Sequence, residues 1–205
     1  MEIKSLGWQS FRIQEGGLVV LTQPFSQKKT KLSFPKVKAD LVLQSRNTES
    51  ALKSRVSGAN QDKVFWAPGP GEYEVAGVEA RGFPSGYWFK MRNFQLAFWW
   101  DLDLEGIKKL SKDFPNIDIL LLKGSQNGKG MGKKLKEAAR KVSPSILIPF
   151  CSETIAKTEM ATGKWAKGFL DALDQENIKP QEKLSINKEA VSSEELKVVL
   201  LESKL

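Results

Sequence analysis

The sequence predicts a mixed α/β sandwich, because strands dominate the first half of the chain and helices alternate with strands in the second. Short β-branched or apolar runs, separated by Gly and Pro turns, fill residues 2–100. Helical spacing of apolar residues first appears after residue 103. The chain has 205 residues, of which 40% are hydrophobic and 27% charged, as expected of one soluble globular domain spanning residues 1–205.

The first half begins with a predicted β-hairpin over residues 2–25, with Gly16-Gly17 at its turn. A lysine-rich loop at residues 26–38 follows. The apolar, β-branched segment 40–45 predicts a buried strand that leads into a helix-compatible stretch. A Pro-Gly-Pro-Gly run at residues 68–71 indicates a tight turn. The other strands of this half are predicted at residues 62–66, 72–75, 78–83 and 87–100.

The second half alternates helices and strands. A helix is predicted at 104–113, and Pro115 ends it. A glycine-rich loop at 123–132 separates a buried strand from a basic helix. The tail, residues 180–205, is predicted to pack as terminal strands around 184–186 and 196–201. The remaining elements are strand 117–122, helix 133–142, strand 144–150 and amphipathic helix 162–177.

Composition limits the cellular setting and the partners. The longest apolar runs are far shorter than the roughly 20 residues of a membrane span, and the N-terminus resembles no signal peptide. The lone cysteine, Cys151, is typical of a reducing compartment, so we expect a cytoplasmic protein. The formal net charge of +8 is compatible with an anionic partner such as nucleic acid, and equally with a lysine-rich surface that aids solubility.

Seven segments, in order along nearly the whole chain, resemble the small lactonase-like branch of the metallo-β-lactamase superfamily. The most specific is Gly69-Pro70-Gly71-Glu72-Tyr73-Glu74-Val75 followed by Gly77-Val78, which is similar to G-P-G-E-Y-E-V-x-G-V. The resemblance implies a four-layer αββα sandwich with a metal site at the carboxyl ends of the strands. The other matching segments are 6–13, 22–25, 38–45, 98–101, 148–151 and 180–184.

The departures from the family pattern fall on its metal ligands. In place of H-x-H-x-D-H the chain has Arg46, Thr48, Ser50 and Ala51, and it contains no histidine at all. Trp8 and Gln23 also replace a histidine and an aspartate of the pattern. The other former metal-site positions suggested by the resemblance are Tyr87, Asp101 and Cys151, of which Asp101 alone keeps the family residue.

These substitutions predict a catalytically inactive protein, because a zinc hydrolase needs several converging ligands and an open position for water. We therefore expect no zinc, no other cofactor and no zinc-dependent activity. The alternative is a divergent hydrolase that uses Asp101 and a hard divalent cation to cleave a phosphodiester or a lactone. Asp103 and Glu105 fit such a cation site, and they fit equally the acidic first turn of the next helix.

Two further groups have an open interpretation. Lysines of the basic loop and of the glycine loop are candidate anion contacts, although both segments also fit solvated loops. Cys151 is either a nucleophile without an activating histidine or a small core residue. The candidate anion-binding residues are Lys28, Lys29, Lys31, Lys123, Lys129, Lys133 and Lys134.

Bulky aromatic residues stand at or near the former ligand positions. They fit three interpretations: ordinary core or surface residues, filling of a lost metal cavity, or a pocket that stacks on a flat ligand. The residues concerned are Trp8, Trp88, Phe98, Trp99 and Trp100. The sequence as a whole predicts a pseudoenzyme that serves as a binding or structural module. It does not identify a partner, nucleic acid being one candidate, and it is compatible with an oligomer.

Overall fold

The computed structural model describes residues 1–26, 33–45, 50–60, 62–124, 131–151, 163–191 and 195–202. Two β-sheets pack face to face, and α-helices cover the outer face of one of them, which makes the α/β sandwich that the sequence predicts. The strands of the six-stranded sheet are, in spatial order, β14 (Leu184–Ser185), β1 (Glu2–Gly7), β2 (Ser10–Glu15), β3 (Leu18–Thr22), β5 (Leu41–Leu43) and β7 (Phe65–Ala67).

The second sheet has seven strands and carries the helices. Its order is β15 (Lys197–Val198), β13 (Ile146–Phe150), β12 (Ile119–Lys123), β11 (Phe94–Trp99), β10 (Gly86–Met91), β9 (Val78–Phe83) and β8 (Gly71–Val75). From β15 to β11 the pairs are parallel, whereas β10, β9 and β8 are antiparallel to their neighbours. The two tail strands extend one sheet each, so the C-terminal segment closes an edge of both sheets.

Within the described ranges, three α-helices lie side by side on the seven-stranded sheet. They are α1 (Leu104–Asp113), α2 (Met131–Val142) and α3 (Lys167–Ala172), with α2 packed between the other two. The outer face of the six-stranded sheet has no α-helix among the described residues. A 3₁₀ helix, Ser50–Arg55, and a small sheet of β4 (Val37–Ala39) and β6 (Val56–Gly58) belong to the layer that covers it.

Three predicted elements differ from the structure. The first hairpin is a three-stranded meander, because Gly7 and Trp8 both adopt positive φ and form a second turn. Residues 87–100 form two strands separated by a turn at Arg92, which also has positive φ. The helix predicted at 162–177 is an α-helix only over α3, preceded by a 3₁₀ turn at Lys164–Ala166. It ends where the amide of Gln175 bonds back to the carbonyl of Leu170.

Strand alternation divides the hydrophobic interior in two. One core lies between the sheets and includes Phe89, Leu96 and Leu121. A second core lies between the seven-stranded sheet and the helices, and includes Leu120, Leu135 and Phe169. A smaller cluster around Val42 and Phe25 lies outside the six-stranded sheet. Alternation therefore decides which residues point between the sheets, where they can reach a site at the strand ends, and which point toward the helices.

Candidate functional site

The carboxyl ends of parallel strands from both sheets meet at one edge of the sandwich. Strands β5 and β7 end there in one sheet and β11, β12 and β13 in the other, and Tyr87 of β10 bridges the two. Strand ends of this kind are the usual location of functional loops in α/β proteins. The segment resembling the family's metal motif leaves β5 at this edge, so we take the edge as the candidate site.

The hydroxyl group of Tyr87 lies at the centre of the edge and connects the two sheets. It accepts a hydrogen bond from the amide of Gly69 at 2.7 Å. Its single proton faces the carbonyl oxygens of Gln44 at 2.8 Å and Ala67 at 3.0 Å. Burial raises the pKa of the Tyr87 phenol above its ordinary value, so the hydroxyl stays protonated. Tyr87 is thus a neutral group already engaged by the backbone.

Aromatic rings fill the space between the sheets beside Tyr87. Phe98 stacks on Phe150 with ring centres 5.3 Å apart, and Phe11 contacts both rings edge-on. Trp100 lies 5.7 Å from the rings of Phe98 and Tyr87. We call Phe11, Tyr87, Phe98, Trp100 and Phe150 the aromatic cluster. Four of its members are at most 3% exposed, so an apolar, closely packed group occupies the inter-sheet side of the edge.

The backbone that enters the motif segment is held by Gln23. Its side-chain oxygen accepts a hydrogen bond from the backbone N–H of Ser45 at 3.1 Å, and its backbone N–H donates to the carbonyl oxygen of Leu43 at 2.8 Å. Gln23 also has a positive φ of 33°, so this position is a tight turn. The neighbouring Gln44 has a buried side-chain oxygen with no hydrogen-bond partner among the described residues. The backbone of Gln44 is thus bonded to Tyr87 and Ala67, whereas its side-chain oxygen is a buried acceptor at this edge without a described donor.

The structure separates the predicted former metal positions that it describes. Tyr87 faces the inter-sheet core, whereas Cys151 lies in the helix-side core, on the opposite face of the same sheet. Asp101 is exposed beyond the end of β11. Arg46 and Thr48 lie outside the described residues, as do the side chains of Ser50 and Ala51, whose backbone begins the 3₁₀ helix. Over the described ranges, no three His, Cys, Asp or Glu side chains group together as metal ligands would.

Three further acidic or thiol groups have structural roles. The side chain of Asp103 accepts a hydrogen bond from the backbone amide of Glu105 at 3.2 Å and caps α1, as the first-turn interpretation predicts. Cys151 is only 6% exposed, which agrees with the core interpretation. Asp40, at the amino end of β5, is fully buried and accepts hydrogen bonds from Val19 and Asn60. Asp103 and Cys151 thus belong to the framework near the edge, whereas Asp40 stabilises the opposite end of β5.

The cavity-filling interpretation is wrong for three of the five aromatic residues. Trp88 and Trp99 belong to the helix-side core, because alternation along the strands turns them away from the partner sheet. Trp8 is partly buried against the outer cluster. Only Phe98 and Trp100 lie in the aromatic cluster. Sequence reasoning overlooked the roles of Phe11, Phe150 and Gln44. The alternation of polar and apolar residues in β2 indicates that Phe11 faces the core, whereas β13 is apolar at every position and gives no such signal for Phe150.

The candidate anion contacts that can be located lie on or near the helix layer. Lys133 and Lys134 are exposed on α2, and Lys123 is partly buried at the end of β12. The remaining candidates, Lys28, Lys29, Lys31 and Lys129, lie outside the described residues. The located lysines therefore belong to the helix-covered face and its border with the candidate site.

Comparison with protein families agrees with this architecture. The model of the beta-lactamase superfamily domain matches residues 2–151, which include both sheets up to Cys151. The chain belongs to the metallo-β-lactamase superfamily. The match confirms the family resemblance that the seven sequence segments carry. A search of curated proteins gives no match.

Solved structures of the superfamily share the fold across almost the entire chain. A Thermotoga maritima protein assigned as a Zn-dependent hydrolase of this superfamily has a TM-score of 0.72 and 22% identity, covering 98% of this chain and 99% of its own. YhfI from Bacillus subtilis, a metallo-β-lactamase fold protein, has a TM-score of 0.59 and 10% identity, covering 98% and 97%. Igni18, a metallo hydrolase from Ignicoccus hospitalis, has a TM-score of 0.58 and 12% identity, covering 91% and 99%. At these identities the likeness shows the fold alone.

No helix in the described ranges is long and apolar enough to cross a membrane.

Proposed function

We propose that this metallo-β-lactamase-fold chain is a catalytically inactive member of its superfamily that acts as a binding or structural module for an anionic partner. The observation that carries the proposal is the engagement of Tyr87 by backbone groups of Gln44, Ala67 and Gly69, with the aromatic cluster beside it. In this arrangement the central polar group of the edge serves to join the sheets. It is not available as a metal ligand or as a base.

The residues present do not fit a zinc ion. Zinc sites in proteins use imidazole, thiolate and carboxylate ligands that converge on the metal. Here the thiol of Cys151 faces the other side of the sheet from Tyr87, and the carboxylate of Asp101 is exposed. Arg46 contributes a positive charge, and Thr48, Ser50 and Ala51 contribute no imidazole or carboxylate. We therefore derive no hydrolytic step through a metal.

The alternative is a divergent hydrolase that uses Asp101 with Mg²⁺ or Mn²⁺ on a phosphodiester or a lactone. One observation favours it: Asp101 is exposed at the carboxyl edge of β11, where a hard cation can reach a carboxylate. Against it, the adjacent Asp103 is occupied by the α1 cap. The alternative requires a turnover that depends on Asp101.

The test uses tag-free protein purified without chelator. Elemental analysis is followed by turnover assays with bis(p-nitrophenyl) phosphate and a simple lactone, in Zn²⁺, Mn²⁺ or Mg²⁺. We expect substoichiometric metal, and the same background rate for wild type, Asp101→Ala and the control Asp113→Ala, which alters an exposed aspartate at the end of α1. One bound ion per chain, with turnover that Asp101→Ala abolishes and Asp113→Ala retains, would establish the hydrolase instead.

The anionic partner is tested separately with heparin as a generic polyanion. We expect heparin binding that weakens steeply with salt, because displacement of counterions dominates such binding. If the protein does not bind heparin at 50 mM salt, the anionic-partner part of the proposal is wrong, whatever the metal analysis gives.

A further inference from the structure

The three α-helices that the structure describes in the outer layer differ strongly in their charge. α2 carries five basic side chains and one acidic one, Glu137. By contrast, α1 combines Lys108, Lys109 and Lys112 with Glu105 and Asp113. α3 carries Lys167 paired with Asp171 at 2.8 Å. Among these three helices, the cationic charge is therefore concentrated on the central one. The five basic residues, which we call the α2 basic face, are Lys133, Lys134, Lys136, Arg140 and Lys141.

Helix stability accounts for only part of this distribution, because Arg140 and Lys141 in the last turn suit the negative end of the helix dipole, whereas the lysines of the first turn do not suit its positive end. The first turn of a helix favours acidic residues because the helix dipole is positive there, yet α2 has no acid in its first turn and places Lys133 and Lys134 near it. The fold itself needs only the opposite face of the helix, where Leu135, Ala138 and Val142 are buried. The basic face thus lies on surface that the packing leaves unconstrained.

Several cations of the face have no carboxylate partner. Lys136 pairs with Asp174 at 2.5 Å, and Lys141 lies 3.5 Å from Glu137. Lys133, Lys134 and Arg140 are exposed and make no ion pair within 4 Å among the described residues, although the nearby carboxylate of Asp174 attracts Arg140. A shallow depression of about 350 Å³ lies between the basic side chains of the face. Three charges are therefore available to an external anion.

The geometry suits a linear polyanion. Lys133, Lys136 and Arg140 follow the i, i+3, i+7 spacing of one helix stripe, which extends about 10 Å along the axis. Double-stranded DNA carries one negative charge per about 1.7 Å of its axis, so a stripe about 10 Å long faces a dense, continuous row of phosphate charge. Rigid, regularly spaced phosphates match a rigid helix better than a flexible acidic peptide does.

The chemistry around the stripe favours a duplex over a single strand or a membrane. Single-strand binding relies on exposed aromatic rings that stack on bases. Here the rings of the helix layer, such as Trp165 and Phe169, are buried under it. Membrane-surface helices insert apolar side chains. Phe65 of β7, on the other sheet, is the only large hydrophobic residue classed as exposed in the described ranges.

We propose that the α2 basic face binds the phosphate backbone of double-stranded nucleic acid without reading its sequence. This inference rests on the proposed function, because it names the surface and the class of the anionic partner.

The experiment measures binding of tag-free protein to a fluorescein-labelled, 20-base-pair DNA duplex by anisotropy, between 50 and 200 mM salt. Three phosphate contacts, one for each cation without an ion pair, predict a slope of log K against log salt near −2.7, which corresponds to a loss of about 40-fold over this range. The variant Lys133→Gln, Lys134→Gln, Arg140→Gln removes all three contacts. We expect its slope to be near zero, with little loss over the range, and weaker binding than wild type at 50 mM.

Two comparisons separate charge at this face from total charge and from misfolding. The matched control Lys53→Gln, Arg55→Gln, Lys63→Gln also removes two exposed lysines and one exposed arginine, from the side of the molecule opposite the helix layer, and should bind as wild type does. Glu137→Gln removes the one acid of the face. It should tighten binding about threefold at 50 mM, since a like charge about 6 Å from a phosphate is relieved. An unfolded variant cannot produce that gain.

The outcomes distinguish the two proposals. If the α2 variant binds as wild type does, while heparin still binds, the inference about α2 is wrong and the anionic-partner function stands. If phosphatidylserine vesicles or a single-stranded 20-mer bind tighter than the duplex, the assigned partner class is wrong. If neither the duplex nor heparin binds, both proposals are wrong. Equal affinity for two duplexes of unrelated sequence supports backbone contact, whereas a tenfold preference contradicts it.

Discussion

At the scale of single residues, the Tyr87 hydroxyl connects the two sheets at the candidate site. Tyr87→Phe leaves the Gly69 amide and the Gln44 carbonyl without their bonds to the hydroxyl, and buried groups without partners are costly. We expect the free energy of unfolding to fall by about 1–3 kcal/mol, measured by urea denaturation. Tyr73→Phe is the control, because that hydroxyl bonds to Gly69 from a less buried position. Equal losses in the two variants would contradict this role for Tyr87.

Tyr87 also gives stability a dependence on alkaline pH. Burial raises the pKa of its phenol in the folded state, so above the ordinary tyrosine pKa the folded protein retains a proton that the unfolded chain loses. The stabilisation is complete below pH 10 and is lost progressively as the pH rises further. The free energy of unfolding should fall less steeply with pH in Tyr87→Phe than in wild type, measured between pH 9 and 11.

At the scale of elements, the start of α1 explains why the acidic segment after β11 is structural. Asp103→Ala removes the N-cap and should lower the free energy of unfolding by about 1 kcal/mol. Asp103→Asn should retain most of the stabilisation by the cap, because an asparagine side chain can accept the same hydrogen bond. Asp101→Ala, which changes an exposed residue outside the helix, should alter it by less than about 0.5 kcal/mol. Thermal or urea unfolding measures all three variants. A larger loss for Asp101 than for Asp103 would mean that the cap contributes little.

At the scale of the whole molecule, two adjacent tryptophans belong to different cores and are expected to contribute differently to the free energy of unfolding. Trp99 is fully buried in the helix-side core, and Trp99→Ala should cost about 3–5 kcal/mol. Trp100 is only partly buried beside Tyr87, and Trp100→Ala should cost less than about 3 kcal/mol.

The control for this comparison is Trp99→Phe. It keeps a large ring and removes an indole N–H that has no hydrogen-bond partner among the described residues. Its loss in the free energy of unfolding should be well below that of Trp99→Ala. If Trp100→Ala is the more destabilising alanine variant, the inter-sheet edge contributes more stability than its burial indicates.

The sequence by itself determined the family, the sandwich and most elements of the second half. Helix α1 has the predicted bounds, 104–113, because its apolar spacing, its acidic cap and the following proline agree. The absence of histidine is also apparent from the sequence alone, because it is a property of composition. Local signals of this kind act within one turn or one strand, so they can be recognised without knowing the partner element.

Only the tertiary structure decided which side each residue faces and what it contacts. Phe98 and Trp99 are adjacent in an apolar run, yet they enter different cores, because a strand alternates its side chains and only the sheet pairing defines the faces. The bonds of Tyr87 to Gln44 and Gly69 join segments 43 and 18 residues apart. The basic residues of α2 are apparent in the sequence, but only the packing of the described helices side by side places them on the central helix. Such relations depend on the packing of distant segments, and local sequence carries no signal for them.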